Sequence, residues 1–155
     1  MSSKRFRDPE EAFAARTVRR GECLIWTGAA DKHGYGRMSV NGKLMLSHRY
    51  AWERENGPLS TEELVDHHVC YTPACVEITH LRVATHAQNE QNRRGPEVIS
   101  STGFRNVYRN GSGFSVQIET GGKSHYYGTY RTKEEAATVA ESARRDLFGE
   151  FAGRG

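Results

Sequence analysis

Residues 64–94 bring histidine and cysteine closer together than any other part of the chain. His68, Cys70, Cys75 and His80 are spaced H-x-C-x4-C-x4-H. Thiolate sulfur and imidazole nitrogen are the ligands that zinc takes in tetrahedral protein sites. A metal held within so short a segment fixes the loop around it, and small domains often need such a metal to fold. This stretch therefore constrains the fold more than any other feature of the sequence.

Cys70, Cys75 and His80 supply three of the four ligands that a closed zinc site requires. The remaining cysteine of the chain is Cys23, which begins the strand-like run CLIWTG. A Cys3His site with Cys23 as the fourth ligand would use every cysteine and tie this strand to the central stretch. The alternative interpretation is three reduced, buried cysteines and a surface histidine, but it leaves the C-x4-C-x4-H spacing without a cause.

A histidine and an asparagine in the same stretch predict hydrolytic chemistry. Thr85 is a favourable helix N-cap, so residues 86–94 are predicted to form a helix with Asn89 in its first turns. A hairpin, a zinc loop and a helix form a ββα unit that returns Asn89 towards His68. In such a unit His68 can act as a general base on water, and the amide oxygen of Asn89 can bind a hard cation such as Mg²⁺.

This pattern resembles the HNH, or ββα-metal, nucleases, and in particular their His-Cys box branch and the short phage and homing HNH endonucleases. The resemblance covers residues 23–94 and includes a W-T-G, G-Y-G and H-R series ahead of the catalytic stretch. It implies a metal-dependent DNA endonuclease that acts on double-stranded DNA with a structural zinc and a catalytic Mg²⁺ or similar divalent cation.

The resemblance also implies roles for individual residues. The base falls on His68, the catalytic cation on Asn89 together with His67 or Asp66, and a contact to the scissile phosphate or leaving group on Arg49. A structural cation is the alternative interpretation of Arg49. The zinc ligands implied by the resemblance are Cys23, Cys70, Cys75 and His80.

One departure from the family pattern lies beside the zinc ligands. Family members usually have Cys-Val-Asn-Pro where this chain has Cys75, Val76, Glu77 and Ile78. The missing asparagine is interpreted as a turn-bracing residue rather than a reactant. Two other functions stay open: a catalytically inactive DNA-binding regulator on the same fold, and a nuclease of the RNA-cleaving or toxin type.

The chain is predicted to divide into a basic N-terminal helix or arm (1–21), the nuclease domain (22–95), a Gly-Pro-containing linker (96–101) and a second domain (102–155). In the arm, Asp8 and Pro9 start a helix that is expected to continue to about Arg20. The helix is either solvated or a phosphate-contacting arm. Arg93 and Arg94, just before the linker, are also expected to contact the DNA backbone.

Two local signals organise the nuclease domain ahead of the zinc stretch. Asn41-Gly42 lies between two strand-like runs and is the strongest short hairpin signal. Ser47 is predicted to cap the helix that follows, which ends at Gly57 and Pro58.

Residues 102–155 are predicted to form three strands followed by one helix. Runs of alternating apolar and polar residues are separated by glycine turns. Thr132 and Glu135 form a capping box that starts a helix ending at Phe148, before Gly149. The apolar seam of this helix is predicted to contain Ala136, Val139, Ala140, Ala143 and Leu147. The predicted fold class is thus α+β: a zinc-stabilised ββα-metal nuclease domain and then a three-stranded antiparallel sheet with one helix.

The run G-T-Y-x-T-x-E-E-A-A and the strand order resemble the APETALA2-type DNA-binding domain. The resemblance implies that the exposed face of the sheet enters the major groove of DNA. Glu119 stands where that family usually has a basic residue, so its base preference does not transfer. A sheet used for protein contacts is the alternative interpretation. The residues implied to contact DNA are Arg105, Tyr108, Gln117 and Tyr126, with Arg109 beside them.

Composition and the pattern of apolar residues limit the cellular location that we expect for the protein. The chain has 155 residues, a net charge of +3 and a mean hydropathy of −0.74. No stretch approaches the roughly 18 apolar residues of a membrane span, and the charged N-terminus lacks the apolar region of a signal peptide. An intracellular protein that is not secreted and does not enter a membrane is expected. A single ββα unit cuts one strand, so cleavage of both strands would need two units. A homodimer would supply them.

Overall fold

A computed structural model of the chain describes Phe6 and residues 8–92 and 100–153. The chain divides into two compact units, Met1–His86 and Ala87–Gly155, and both combine helices with small antiparallel sheets. Arg93, Arg94 and residues 96–99 of the predicted linker lie outside the described residues, as do Lys4, Arg5 and Arg7 of the basic arm.

The first unit begins with a short helix, α1 (Pro9–Ala14), whose N-cap Asp8 accepts a hydrogen bond from the Glu10 amide. The prediction of a helix to Arg20 is wrong, because Thr17–Arg20 forms a strand, β1. β1 pairs antiparallel with β2 (Cys23–Trp26) across a turn at Gly21. This ladder satisfies the backbone groups of both strands, so the basic segment is part of the first unit.

The predicted Asn41-Gly42 turn is confirmed, since both residues have positive φ values, 50° and 79°. It joins β3 (Arg37–Val40) to β4 (Lys43–Leu46) in antiparallel register. α2 (Ser47–Asn56) follows at once and ends at Gly57. The prediction that Ser47 caps this helix is wrong: Leu46 is the N-cap, and Ser47 is fully buried in the first turn.

The zinc stretch lies between two paired strands. β5 (Glu63–His67) runs antiparallel to β6 (Leu81–Thr85), and a 3-10 turn, Ile78–His80, leads into β6. α3 (His86–Gln91) begins directly after β6, at the predicted position. The buried core of the first unit consists of Phe13, Trp26, Met38, Ala51, Val65, Val76 and Leu81.

The second unit contains the predicted three strands and helix. β7 (Val107–Asn110), β8 (Gly113–Thr120) and β9 (Lys123–Tyr130) form one antiparallel sheet in that order. α4 (Lys133–Phe148) begins with the predicted capping box, which is confirmed by reciprocal hydrogen bonds between Thr132 and Glu135.

The core of the second unit lies between its sheet and α4, where Val107 and Val116 pack against Ala136 and Ala140. The predicted seam of α4 is wrong at its C-terminal end, since Leu147 is 36% exposed. Arg144 is buried there instead, and its guanidinium donates to the backbone carbonyl of Arg105. Among the described residues, no helix is long and apolar enough to cross a membrane.

Close packing between β3 and α2 predicts a measurable cost at Gly36. A Cβ atom there would lie 2.2 Å from Ser47 Oγ and 2.4 Å from Trp26 Cδ1. We expect Gly36→Ala to lower the free energy of unfolding by about 1–3 kcal/mol, because a packed core cannot absorb the added methyl group. Urea denaturation followed by tryptophan fluorescence measures this. Ser39→Ala, on an exposed strand position, is the control, and equal midpoints for both variants would contradict the packing argument.

Candidate metal centre and active site

The four predicted zinc ligands converge in the first unit. The ligand atoms of Cys23, Cys70, Cys75 and His80 all lie within 4.8 Å of one another. The sulfur atoms of Cys23 and Cys75 are each 3.6 Å from Nδ1 of His80. Tetrahedral zinc, with Zn–S near 2.3 Å and Zn–N near 2.0–2.1 Å, places sulfur and nitrogen roughly 3.5–3.6 Å apart. The donor set and its spacing therefore fit a structural zinc ion.

Backbone pairing explains how Cys23 reaches ligands some fifty residues later. The Trp26 amide donates to the carbonyl of Ala74 at 2.8 Å, and the Val76 amide donates to the carbonyl of Leu24 at 2.7 Å. β2 thus pairs with the segment that contains the second cysteine of the C-x4-C run. Main-chain hydrogen bonds therefore bring the four side chains together.

Burial favours the protonated form of two of the thiols when no metal ion is bound. Cys75 is fully buried, and burial raises the pKa of its thiol to about 12. Burial also raises the pKa of the Cys23 thiol. A bound metal ion reverses this preference, because a coordinating thiol is deprotonated outright. Zinc binding must then release protons, so zinc affinity rises with pH.

Glu77, which departs from the family pattern, braces the zinc loop. Its carboxylate accepts a hydrogen bond from Arg19 Nη1 at 2.5 Å, which links the loop to β1. The other carboxylate oxygen accepts from the Thr79 hydroxyl at 3.4 Å. The turn-bracing role expected of the missing asparagine is therefore filled by a carboxylate, and the substitution leaves the zinc ligands in place.

The two adjacent histidines lie at the end of β5 and differ in their surroundings. His67 is buried, and its Nε2 is 2.8 Å from the backbone carbonyl oxygen of Cys75. Because a carbonyl oxygen only accepts, Nε2 carries the proton and Nδ1 keeps a lone pair. That lone pair can bind a metal ion or take a proton. His68 is half-buried, and its backbone amide donates to the His80 carbonyl at 3.1 Å, extending the ladder past β5.

A third histidine, His48 on α2, packs against His67. The centroids of the two rings are 4.8 Å apart, and the ring of Tyr35 lies 5.5 Å from that of His48 and 6.1 Å from that of His67. His48 is 3% exposed, and its Nδ1 has no hydrogen-bond partner among the described residues. Burial lowers the pKa of His48 to about 3 and also lowers the pKa of His67. Both imidazoles are neutral at pH 7.

His48 and Tyr35 were not among the predicted site residues. The H-R pair at positions 48 and 49 was part of the resemblance, but only its arginine was given a role. His48 lies on a helix and is buried against His67, which lies on a strand. This contact depends on tertiary packing, which the local sequence pattern does not encode. The H-R pair itself was the signal that could have identified His48.

Asp66, the alternative to His67 as a cation ligand, is engaged in a buried ion pair. Its carboxylate lies 3.1 Å from Arg82 Nε, and both side chains are nearly buried. The two residues face each other in the β5–β6 register. The carboxylate of Asp66 thus neutralises a neighbouring guanidinium, and the choice between His67 and Asp66 as a cation ligand remains a prediction.

Arg49 has a structural position. Its Nε pairs with Glu53 at 2.7 Å, and its two terminal nitrogens donate to the carbonyls of Glu63, Leu59 and Ser60 at 2.9–3.1 Å. These bonds tie α2 to the loop before β5. Four of its five N–H groups are used in these bonds, which agrees with the structural interpretation of Arg49, while its contact with the scissile phosphate remains a prediction.

Asn89 lies on α3 and is half-buried. It belongs to the unit Ala87–Gly155, whereas His67 and His68 belong to Met1–His86. The predicted meeting of Asn89 and the histidines at one cation remains a prediction.

The sheet of the second unit exposes part of the predicted DNA-contacting set. Tyr108 is 52% exposed and Tyr126 is 60% exposed. Gln117 is also exposed and is the cross-strand partner of Tyr126. The hydroxyl groups of Tyr126 and Thr129 are 2.7 Å apart, which orients the phenol on this face. Tyr108, Gln117 and Tyr126 thus form an exposed polar and aromatic surface, called here the sheet face.

Two arginines predicted beside them have other positions. Arg109 follows Tyr108 along β7, so its side chain points to the opposite side, and its guanidinium lies 5.6 Å from the Phe114 ring centroid. Arg105 precedes β7 and donates to the carbonyls of Gln91 and Ala152 at 2.8 and 3.3 Å. Its guanidinium thus contacts other segments of the second unit, and its predicted contact with DNA remains a prediction.

The depressed pKa of His48 predicts an acid-sensitive fold. An imidazole whose pKa is lower in the folded than in the unfolded protein stabilises the fold above its unfolded pKa, and this contribution is lost as pH falls from about 6.5 towards the folded value of about 3. We expect wild type to lose up to about 1.4 kcal/mol per pH unit from this group in that window. His48→Phe should show a shallower fall. Urea titrations of both proteins between pH 7 and pH 4.5 compare the slopes, and parallel slopes would contradict a buried neutral His48.

Comparison with known proteins places this site in a family context. Residues 46–91 match the family model described as HNH endonuclease. Protein 7.7 of Escherichia phage T7 is 41% identical over 70 residues, which are 45% of this chain and 53% of the relative. The chain thus spans about half the length of this curated relative. No solved structure matches the chain.

Proposed function

We propose that the protein is a metal-dependent DNA endonuclease of the phage or homing type that hydrolyses phosphodiester bonds. One observation carries the proposal. The segment similar to HNH endonucleases is residues 46–91. It contains His48 on α2, His67 and His68 at the end of β5, and two cysteines of the metal centre. Asn89 falls in the same segment. The residues that hydrolysis requires therefore lie in the part of the chain that resembles a nuclease.

His68 is the proposed general base. It is half-buried, beside the zinc loop, and its backbone is held in the ladder by the bond to His80. In the proposed step His68 takes a proton from water, the water oxygen forms the new bond to phosphorus, and the bond to the 3′ oxygen breaks. The leaving oxygen acquires a proton from solvent. To accept this proton, the base must present an unprotonated ring nitrogen to the water.

His67 and Asn89 are the proposed ligands of the catalytic cation. The lone pair on His67 Nδ1 is available, because Nε2–H is bonded to the Cys75 carbonyl. An amide oxygen from Asn89 is a suitable donor for a hard divalent cation. A divalent cation bound there would stabilise the charge that develops on the phosphate and on the leaving 3′ oxygen. A zinc ion at the Cys3His centre would have a structural role, since Cys23, Cys70, Cys75 and His80 would supply all four ligands.

The second unit is proposed to bind duplex DNA through the sheet face. Its exposed tyrosines and glutamine offer hydrogen bonds and apolar contacts of the kind that read base edges. We expect Tyr126→Ala and Gln117→Ala each to raise the Kd for a duplex selected from a random library by about 5- to 100-fold, the range of one good base contact. Fluorescence anisotropy at a fixed salt concentration measures this. Ser142→Ala, exposed on α4, is the control, and unchanged affinity in both sheet variants would favour a surface for protein contacts.

The substrate class is tested by supplying equal lengths of duplex DNA, single-stranded DNA and RNA to the zinc-loaded full chain with a divalent cation. The proposal predicts cleavage of duplex DNA and loss of cleavage with a chelator. Preferential cleavage of RNA would replace the proposal with an RNA or toxin-type nuclease. Tight binding of duplex DNA without cleavage of any substrate, over several cations and genomic DNAs, would favour a DNA-binding regulator.

A further inference from the structure

We infer that His48 and His67 bind the same divalent transition-metal ion, so that the catalytic cation of this chain is held by two imidazoles. The inference deepens the proposed function, on which its catalytic meaning rests, by naming the class of cation and adding a ligand. Mg²⁺ strongly prefers oxygen ligands, whereas neutral imidazole suits ions such as Ni²⁺, Co²⁺ and Zn²⁺. A pair of buried imidazoles therefore disfavours Mg²⁺ at this position.

The ring separation fits a shared ion. The centroids of the His48 and His67 rings are 4.8 Å apart, and their planes are tilted by 57°. A metal ion about 2.0–2.1 Å from a ring nitrogen lies roughly 3.2 Å from the centroid of that ring. Two such imidazoles at ligand angles of about 90–110° have centroids roughly 4.5–5.2 Å apart. The observed separation falls inside this interval without any movement of the two side chains.

The nitrogen atoms of both rings support the same conclusion. His67 donates its Nε2–H to the Cys75 carbonyl, and a histidine that binds metal typically donates its other ring N–H to such a carbonyl. His48 is 3% exposed, and its Nδ1 has no hydrogen-bond partner among the described residues. A buried polar atom without a partner is costly and uncommon in folded proteins. A directly bound ion would give this ring nitrogen a partner.

The arrangement is distinct from the zinc centre. His80 is the histidine of the Cys3His cluster, and neither His48 nor His67 belongs to that cluster. The chain should therefore bind two kinds of metal ion: one zinc held mainly by thiolates, and one more exchangeable ion held by the imidazole pair. Water and phosphate oxygens would fill the remaining positions of the second ion.

The test is isothermal titration of Ni²⁺ into the zinc-loaded full chain, with bound zinc measured before and after. We expect one equivalent of Ni²⁺ to bind without release of zinc. His48→Phe, which keeps a ring of similar size and removes both nitrogens, and His67→Phe should each weaken Ni²⁺ binding at least tenfold. His33→Ala, an exposed histidine of the same unit, is the matched control and should bind Ni²⁺ as wild type does.

Unchanged Ni²⁺ affinity in a zinc-loaded His48→Phe protein would overturn the inference. If either variant fails to fold, X-ray absorption of Ni²⁺-loaded wild type decides the matter instead. Two imidazole ligands support the inference, and fewer than two overturn it. Because binding is measured without DNA, metal binding in a chain that cleaves nothing would leave the inference standing and remove the proposed function. Cleavage that needs a divalent cation, by a protein that binds no Ni²⁺, would leave the proposed function standing and overturn the inference.

Discussion

Replacing His68 by alanine should lower the rate of DNA cleavage by about 10²- to 10⁴-fold, the contribution expected of a positioned general base. The reason is that this variant lacks the imidazole proposed to take the proton from the attacking water. Single-turnover cleavage of a labelled duplex by excess enzyme measures the chemical step separately from product release. The affinity for DNA should change little, because the side chain acts in the transition state rather than in binding the substrate.

The neighbouring histidine provides the sharpest comparison. His67→Ala should also slow cleavage, but added Ni²⁺ or Mn²⁺ at high concentration should restore part of the rate, because the loss lies in cation affinity. No cation should restore His68→Ala. His33→Ala is the control and should cleave as wild type does. The opposite pattern, with His67→Ala beyond rescue and His68→Ala rescued, would exchange the two assignments and make the carbonyl-oriented imidazole of His67 the base.

Loss of the structural zinc should unfold the first unit. A structural zinc contributes on the order of 10 kcal/mol of apparent folding free energy, as much as the whole stability of many small domains. Cys75 is the natural target, since it is fully buried within the cluster. Cys75→Ser should abolish zinc binding and the cooperative unfolding of this unit. Both tryptophans of the chain, Trp26 and Trp52, lie in the first unit, so their fluorescence reports on this unit alone.

A chelator applied to wild type tests the same dependence without a mutation. Removal of zinc should shift the tryptophan emission to the red, and readdition of one equivalent of zinc should restore it. The sheet and helix of the second unit contain no tryptophan, and circular dichroism should show helix that persists after zinc removal. Native tryptophan emission in protein shown to contain no zinc would contradict the structural role of the cluster.

The parts of the fold that the sequence predicted are those with local chemical causes. The spacing of Cys70, Cys75 and His80 predicted the cluster, because thiol and imidazole groups at such short intervals are typical of metal binding. Asn41-Gly42 predicted its hairpin, because a turn with two positive φ values has a strong residue preference. Thr132 and Glu135 predicted the start of α4 through their capping side chains.

The parts that were wrong depend on partners distant in sequence. Thr17–Arg20 follows good helix signals but forms β1, because β2 offers a complete antiparallel ladder. Arg49 and Arg105, whose DNA contacts remain predictions, also donate to backbone carbonyls of segments that the local sequence does not place beside them. His48 lies beside His67 because α2 packs against β5, a contact that the local sequence does not predict. Residue type and spacing predicted the metal cluster, while the partners of individual side chains such as Arg49 and His48 depend on tertiary contacts.

Conversion of supercoiled plasmid to nicked or linear DNA by the zinc-loaded protein tests the proposed nuclease function most directly. We predict conversion when a divalent cation is added, no conversion with a chelator, and none by His68→Ala under the same conditions. Phage genomic DNA should be tested in parallel, because a recognition site can be absent from a small plasmid. Intact supercoils and intact genomic DNA across Mg²⁺, Mn²⁺ and Ni²⁺, with DNA demonstrably bound, would contradict the proposed nuclease function.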